Sequence, residues 1–402
     1  MKFVRASATF MSFASLLSIG FGQLSRISLF GQQRNVYVFE AIVIINLITL
    51  VCLYGLKPFK QLTNRSLLPL IFVSYLGLTL IVTFVRFSPF QNLVAFLYLI
   101  RLSVYILDFY YLSFHFTIKG QGEMLRSAGI PLFSGFLALT SVIQYFWFSD
   151  LSGWFSQGWD LHYKRIFGVF LDPPMTAAIV ILAIIYIVHH LTTCKTPYIL
   201  NISMKVLAIF LFGILLLTFS RGAYLAFLFI AVIYFLKAKK WLILIGFISV
   251  FAVGIYLIPK PSGEGVNLMR TFSIYARLAN YEDGFDMWRN NMFLGVGYNH
   301  IRYAKSVQTV SPSKTEFVYD HAGASFHSSF LTILASAGIA GLALFVGVLL
   351  YFASLNSFGW YAVIALSVMS LFDNVILYPF VLVLFIIMLT LTLQSARQSS
   401  LR

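Results

Sequence analysis

Residues 259–327 read PKPSGEGVNLMRTFSIYARLANYEDGFDMWRNNMFLGVGYNHIRYAKSVQTVSPSKTEFVYDHAGASFH, the one long polar interruption in an otherwise apolar chain. Lys260, Arg270, Arg277, Arg289, Arg302, Lys305 and Lys314 stand there beside Glu264, Glu282, Asp283, Asp286, Glu316 and Asp320, and the stretch closes on His321 and His327. A chain that gathers its cations, acids and histidines into one interval places its polar chemistry there.

Outward from this interval the sequence is a succession of apolar runs. They fall near 9–29, 36–56, 67–85, 89–116, 128–148, 174–193, 201–219, 221–236 and 241–258 before it, and near 326–353, 357–373 and 376–394 after it. Each approaches the ~20 residues that a helix needs to cross a bilayer. The chain of 402 residues is 60% hydrophobic and only 10% charged, with a mean hydropathy of +0.88; this excludes a soluble globular domain. The expected fold is an all-α polytopic transmembrane bundle of about twelve spans with a long external loop containing an amphipathic helix. Residues 1–258 supply helices 1–9, 259–325 the loop or lid, 326–394 helices 10–12 and 395–402 a cytoplasmic tail.

Basic residues in short loops set the orientation. Under an even span count Lys2, Arg5, Lys57, Lys60, Arg65, Lys119, Arg126, Lys195, Lys205, Lys237, Lys239, Lys240, Arg397 and Arg402 share one side. Arg26, Arg34, Arg86, Lys164, Arg165 and Arg221 are the fewer cations opposite. Both termini are therefore expected in the cytoplasm and the 259–327 interval outside. The net charge of +15 is largely explained by inner loops facing anionic lipid, and no basic domain remains for nucleic acid once the spans are removed. Cys52 and Cys194 lie in or beside apolar spans and offer neither a disulfide framework nor a zinc site. Lys2 and Arg5 ahead of an apolar run resemble a signal peptide, but the run is too long and lacks a small-residue cleavage site, so it reads as span 1.

Within the loop, residues 271–291 read as a helix. Ile274, Leu278, Tyr281, Phe285 and Trp288 recur at helical spacing, and the periodicity favours packing of this stripe on the bundle over immersion in lipid headgroups. Leu294-Gly-Val-Gly-Tyr298 is a close turn; with no strand before it, a nucleotide-binding loop is excluded. His327 opens the tenth span, where the positive end of a helix dipole disposes an imidazole to accept a proton rather than hold one; a headgroup contact or helix cap is the plainer alternative. Arg221, in Thr218-Phe-Ser-Arg-Gly-Ala-Tyr224, sits at the outer end of the eighth span. Its planar fork of donors suits a phosphate, and snorkelling to the interface is the alternative. Asp373, near the outer turn after span 11, either orients an arginine or histidine or is solvated. Arg101 and Asp108 lie inside span 4, two turns apart, and need partners from other helices or a polar cavity.

Four local patterns, in order, resemble the O-antigen ligase and polymerase superfamily of bacterial polysaccharide-assembly membrane proteins. Arg165-Ile-Phe-Gly168 with Leu171-Asp-Pro-Pro174 is similar to the family's Gly-x-x-x-x-Pro-Asn segment, with Pro174 in place of Asn. Ser220-Arg-Gly222 matches its short arginine motif. Ala276-Arg-Leu278 with Tyr281 and Gly295-Val-Gly297 resembles its arginine, aromatic and Gly-x-Gly string, with Met292 at a common proline position. His327-Ser-Ser-Phe-Leu331 through Gly338-Ile-Ala-Gly341 is similar to its His-Asn-x-x-Leu and Gly-x-x-Gly pattern, with Ser328 replacing Asn.

The resemblance implies a GT-C-like membrane glycosyltransferase of the bacterial inner membrane, with its site facing the periplasm. The donor would be a glycan on undecaprenyl pyrophosphate. The acceptor would be lipid A-core for a ligase, or a second lipid-linked repeat unit for a polymerase. It implies His327 as general base, with Arg277 and Arg221 as the cations on the pyrophosphate. Arg165, Arg270, Tyr281, His321 and Asp373 would contact substrate, His321 being the alternative base. In-line attack would invert the anomeric centre, and neither a metal nor a cofactor is implied. No arginine is followed by glycine at the Arg-x10-Gly spacing common in polymerases, a lean toward ligase. A lipid-linked oligosaccharide flippase or transporter is the reading outside the family, favoured by Arg101 and Asp108 but lacking an inverted repeat.

Overall fold

A computed structural model of the chain describes residues 2–29, 34–118, 120–157, 159–259, 266–268, 271–308 and 324–399. The first half comprises α1 (Lys2–Ile19), strands β1 (Arg26–Leu29) and β2 (Arg34–Tyr37), α2 (Val38–Tyr54), α3 (Leu68–Thr83), α4 (Pro89–Thr117), α5 (Ile130–Trp147) and α6 (Pro173–Thr193). There follow α7 (Tyr198–Leu217), α8 (Arg221–Lys237), α9 (Trp241–Leu257), α10 (Phe272–Arg289), α11 (Ile301–Gln308), α12 (Ser329–Ser354), α13 (Ser357–Ser370) and α14 (Pro379–Ser399). Every apolar run identified in the sequence contains a helix, and the polar interval supplies α10 and α11.

Among the described residues, six helical stretches are long and apolar enough to cross a membrane: Arg65–Arg86, Pro89–Thr117, Leu125–Trp147, Pro173–Thr193, Tyr198–Leu217 and Ser329–Ser354. Shorter apolar helices occur at Val4–Ile19, Val38–Tyr54, Trp241–Leu257, Ser357–Ser370 and Pro379–Leu393. The chain is therefore a helical membrane protein, in which six of the dozen expected spans meet the full length on their own.

Helix starts follow local chemistry. Ser88 caps α4 in a box with Gln91, Asp172 caps α6 just ahead of Pro173, and Asn356 accepts from Gly359 N–H at 2.8 Å to cap α13. Each supplies an acceptor to an end otherwise left with unpaired donors. α6 is the axle of the bundle. Residues from Ala177 to Ile187 are all buried against α7, α8, α13 and α14, whereas α9 presents most of its length outward. An outward apolar helix is what lipid solvates.

Two expectations are corrected here. The first span was placed at 9–29, but α1 ends at Ile19, and Gly22 adopts φ 50° with no room for a Cβ beside the Val169 carbonyl. Beyond it, the alternating Arg26-Ile-Ser-Leu29 pairs antiparallel with 34–37, Arg26 opposite Tyr37. Among the described residues the fold is all-α apart from this hairpin and an isolated bridge between Asp150 and Tyr163. Of the apolar stripe of α10 expected to pack inward, Tyr281 and Trp288 do pack on a buried cluster with Met287 and Leu331, whereas Ile274, Leu278 and Phe285 are 46%, 55% and 40% exposed.

The charges inside α4 find different fates. Arg101 pairs with Glu40 of α2, Nε to Oε1 at 2.6 Å, and also donates to the Asn35 carbonyl; Tyr105 donates to the same carboxylate. Glu40 in turn accepts from the Tyr37 N–H at 2.9 Å as part of the α2 cap. A buried guanidinium is tolerated only with such pairing. Asp108 is buried, and its Oδ1 has no hydrogen-bond partner.

Candidate active site

α10 lies across the end of the bundle where α6, α8, α12 and α14 begin, and it turns its polar and small residues inward. Gly284 and Met287 are buried, and Arg277, Asn280 and Tyr281 are partly buried on the same face. These positions follow the i, i+3, i+4, i+7 rule of a single helix face. Gly284 is required by packing: a Cβ there would press into the Leu331 side chain of α12. The resulting closeness lets three side chains reach across. The Asn280 carbonyl oxygen accepts from the His327 N–H at 2.7 Å, the Tyr281 hydroxyl donates to the Leu371 carbonyl, and Arg277 extends to Asp373.

Asp373 is the hub. Arg277 Nη2 donates to both of its oxygens at 3.1 Å, and His327 Nδ1 lies 3.8 Å from Oδ1. The carboxylate is 15% exposed and the imidazole 53%, so the acid is held within the protein while the base meets the open side. The turn carrying Asp373 is stapled to the first turn of α12. Ser329 Oγ donates to Asn374 Oδ1 at 2.9 Å and accepts from the Ile376 N–H at 3.2 Å. His327 itself precedes the helix, which Ser328 caps by accepting from the Leu331 N–H.

Arg221 enters from the opposite wall. Arg165 is buried and donates to the Thr218 carbonyl through Nε at 3.0 Å and Nη2 at 2.7 Å, fixing the α7–α8 turn in which Phe219 takes φ 50°. α8 then starts at Arg221, whose Nη1 donates to the Leu268 carbonyl at 3.2 Å. Gly222 lies over Phe372, the residue before Asp373, at a distance where even a Cβ would make ordinary contact. Arg221 is close enough to Arg277 for the two positive charges to act on each other. Two guanidiniums held together are chemically suited to an anion.

Gly295-Val-Gly297 has a mechanical task. α12 is kinked at Gly338, with φ 69° and ψ −171°, a region open essentially to glycine alone. The kink frees carbonyls that α12 would otherwise bond internally. The Val296 and Gly297 N–H groups donate to Ala335 and Ser336 at 3.0 and 2.9 Å, and the Ile339 N–H donates back to Met292 at 2.9 Å. A Cβ at Gly295 would meet the Ser336–Ala337 backbone, and one at Gly338 the Phe293 carbonyl. Tyr75 of α3 closes the joint by donating to Phe293 and Ala337 carbonyls at 3.0 Å each. The first two turns of α12, and His327 ahead of them, are aimed by this joint.

On the α6 side, the Asp172 carboxyl is pushed up to about 7, first by burial and then by the negative charges of Asp373 and Asp160. Gln144 holds the segment before it, its Oε1 accepting from the Phe167 and Gly168 N–H groups at 3.0 and 3.1 Å.

Of the residues singled out in the sequence, His327, Arg277, Asp373 and Arg221 come together. Tyr281 donates to the Leu371 carbonyl and Arg165 to the Thr218 carbonyl, in the turns that lead to Asp373 and Arg221. Arg270 and His321 lie outside the described residues. Asn280 and Ser329 were missed. Asn280 has a legible signal, three residues after Arg277 on one helix face, whereas the Ser329 contact spans 45 residues and leaves no trace in spacing.

The arrangement offers an exposed imidazole with its Nδ1 toward a carboxylate, leaving Nε2 to accept a proton, next to two guanidiniums able to hold a polyanion. Residues 206–346 match the family model described as O-antigen ligase. This stretch contains Arg221, Arg277, His327 and both ends of the glycine joint, and it supports the superfamily resemblance and an O-antigen ligase or polymerase type of function, with lipid-linked glycan as the implied substrate class. No curated protein matches the chain.

Proposed function

We propose that this membrane protein transfers a glycan from undecaprenyl pyrophosphate to an acceptor hydroxyl at the periplasmic face, in the manner of an O-antigen ligase. The observation that carries the reading is the joint presentation of His327, Asp373 and Arg277 with Arg221 beside them. An acceptor O–H gives its proton to His327 Nε2 as its oxygen attacks the anomeric carbon. The bond from that carbon to the phosphate oxygen breaks, and the electron pair leaves on the pyrophosphate. Arg221 and Arg277 balance that charge where it develops, the largest single contribution available to such a site. Asp373 steadies the imidazole and stabilises the positive charge it acquires. Attack opposite the leaving group inverts the anomeric configuration.

In this reading about twelve helices cross the inner membrane, both termini are cytoplasmic, and residues 259–325 form a lid that carries Arg277 over the cleft. The acceptor is lipid A-core; the polymerase alternative uses the same residues with a second lipid-linked repeat unit. The experiment is His327→Ala in cells lacking the native gene, with the variant protein quantified in the membrane. Loss of polysaccharide transfer at normal protein level is expected, and unaffected surface polysaccharide sinks the reading. Gel analysis of the deletion strain separates the two acceptors: long chains left on the carrier lipid mean ligase, and a single repeat unit on the core means polymerase.

A further inference from the structure

A second polar chamber lies beside the Asp373 turn, with a volume of about 210 Å³, space for roughly seven waters at liquid density. Its walls come from α4, the segment leading into α11, α12 and the turn before α14. The candidate catalytic residues do not line it, but their neighbours do. Asn374 directly follows Asp373, and Ser325 lies two residues before His327. The chamber and the Arg277–Asp373–His327 cluster therefore share one turn and one strand of backbone.

The lining has a distinct chemistry. Tyr98, Tyr298 and Tyr303 bring ring surface, while Asn299, Asn374, Arg302 and the Glu40-paired Arg101 bring amide and guanidinium groups; among the described residues no acid and no lysine lines it. These polar groups interrupt the apolar part of the lining at Val94, Ile301 and Leu377, whereas a prenyl or acyl chain needs a predominantly apolar one. The pyrophosphate has its cations at Arg221 and Arg277 instead. Aromatic faces cover the C–H faces of a sugar ring, and amide and guanidinium groups pair with its hydroxyls, each group serving as donor or acceptor according to its type. Asn299 holds φ 59°, a left-handed conformation that asparagine tolerates better than most residues.

We infer that this chamber is the subsite for one sugar ring of the acceptor glycan, seated next to the ring whose hydroxyl is deprotonated at His327. The inference rests on the transferase reading above and adds to it a place and a set of recognition residues for the acceptor. A ring fixed there converts an encounter of two flexible glycans into a reaction between oriented partners.

The test uses the full chain in lipid nanodiscs and saturation-transfer difference NMR with glucose, galactose, N-acetylglucosamine and glucuronic acid as probes. The wild type and His327→Ala are expected to transfer saturation to at least one of these sugars, and the double variant Tyr298→Ala with Asn299→Gly to lose it at least fivefold. Glycine at 299 removes the amide while keeping the backbone conformation. The neutral sugars and the uronic acid report which kind of ring is held. No transfer to any sugar in the wild type, or equal transfer in the double variant, overturns the inference. In a transfer assay the same variant should raise the acceptor KM tenfold or more with kcat within threefold. If KM stays unchanged while His327→Ala abolishes transfer, the chamber assignment fails and the transferase reading survives; if His327→Ala is fully active, the reading itself fails. Tyr98→Leu, on a different wall, replaces the double variant should the latter not reach the membrane.

Discussion

Arg277 of α10 grips both oxygens of Asp373 through a single nitrogen, 3.1 Å to each, across 96 residues of sequence. The same carboxylate faces His327 Nδ1, so in the proposed mechanism one acid serves the anion site and the base together. In Asp373→Asn the amide can accept one bond but no longer neutralises either partner. Transfer is expected to fall by about 10²-fold or more, read as kcat in a membrane-vesicle assay. Retention of more than half the rate would remove Asp373 from the mechanism.

The Glu40–Arg101 pair is buried and supports the hairpin and α4 together. Glu40→Gln strands the guanidinium and should destabilise the protein by about 3–5 kcal/mol, whereas the double change Glu40→Gln with Arg101→Met should recover most of that loss. Thermal unfolding in detergent, followed by tryptophan fluorescence, distinguishes the two.

Gly338→Ala introduces a Cβ into the Phe293 carbonyl at a backbone conformation that alanine scarcely visits. Strain of about 1–3 kcal/mol is expected from the conformation alone, with the clash added to it. Because the joint aims His327, kcat should fall in protein that still reaches the membrane. An unchanged melting temperature together with unchanged kcat would show that the joint has no such role.

Asp172 gives a pH signature. Its folded value of about 7 stands above the ordinary 3.8, through burial first and the charges of Asp373 and Asp160 next. Between those values the folded chain keeps a proton that the unfolded chain releases. Stability contributed by this group is thus complete below about pH 4 and is lost as the pH rises through 7. Asp172→Asn, which still caps α6, should flatten that decline, measured as melting temperature at pH 4.5, 6 and 7.5. A decline as steep as in the wild type would assign it to other groups.

The helices were legible because hydropathy over some 20 residues is a local property. α10 shows where locality ends. Its spacing revealed a helix and an apolar face, but which face turns inward depends on Gly284 meeting Leu331, a contact that no periodicity encodes. Likewise Gly295-Val-Gly297 announced a close approach without naming its partner, the Gly338 kink some forty residues on. Asp373 was ambiguous for a related reason: an acid in a turn is either solvated or an anchor, and only Arg277 and His327 decide between them. The first helix was misplaced where hydropathy continued past Ile19 while two glycines and a β-period hairpin had already taken over the backbone.

The outward apolar face of α10 has a consequence for the membrane itself. Ile274, Leu278 and Phe285 look away from the protein while Arg277, Asn280 and Tyr281 look into it, so water would favour the reverse roll of this helix. In the proposed orientation, lipid headgroups and acyl chains would receive the apolar side and keep the arginine turned inward. The bilayer would then act as a missing wall of the proposed site, and its composition and thickness would become variables of catalysis in the way that a partner subunit is for a soluble enzyme.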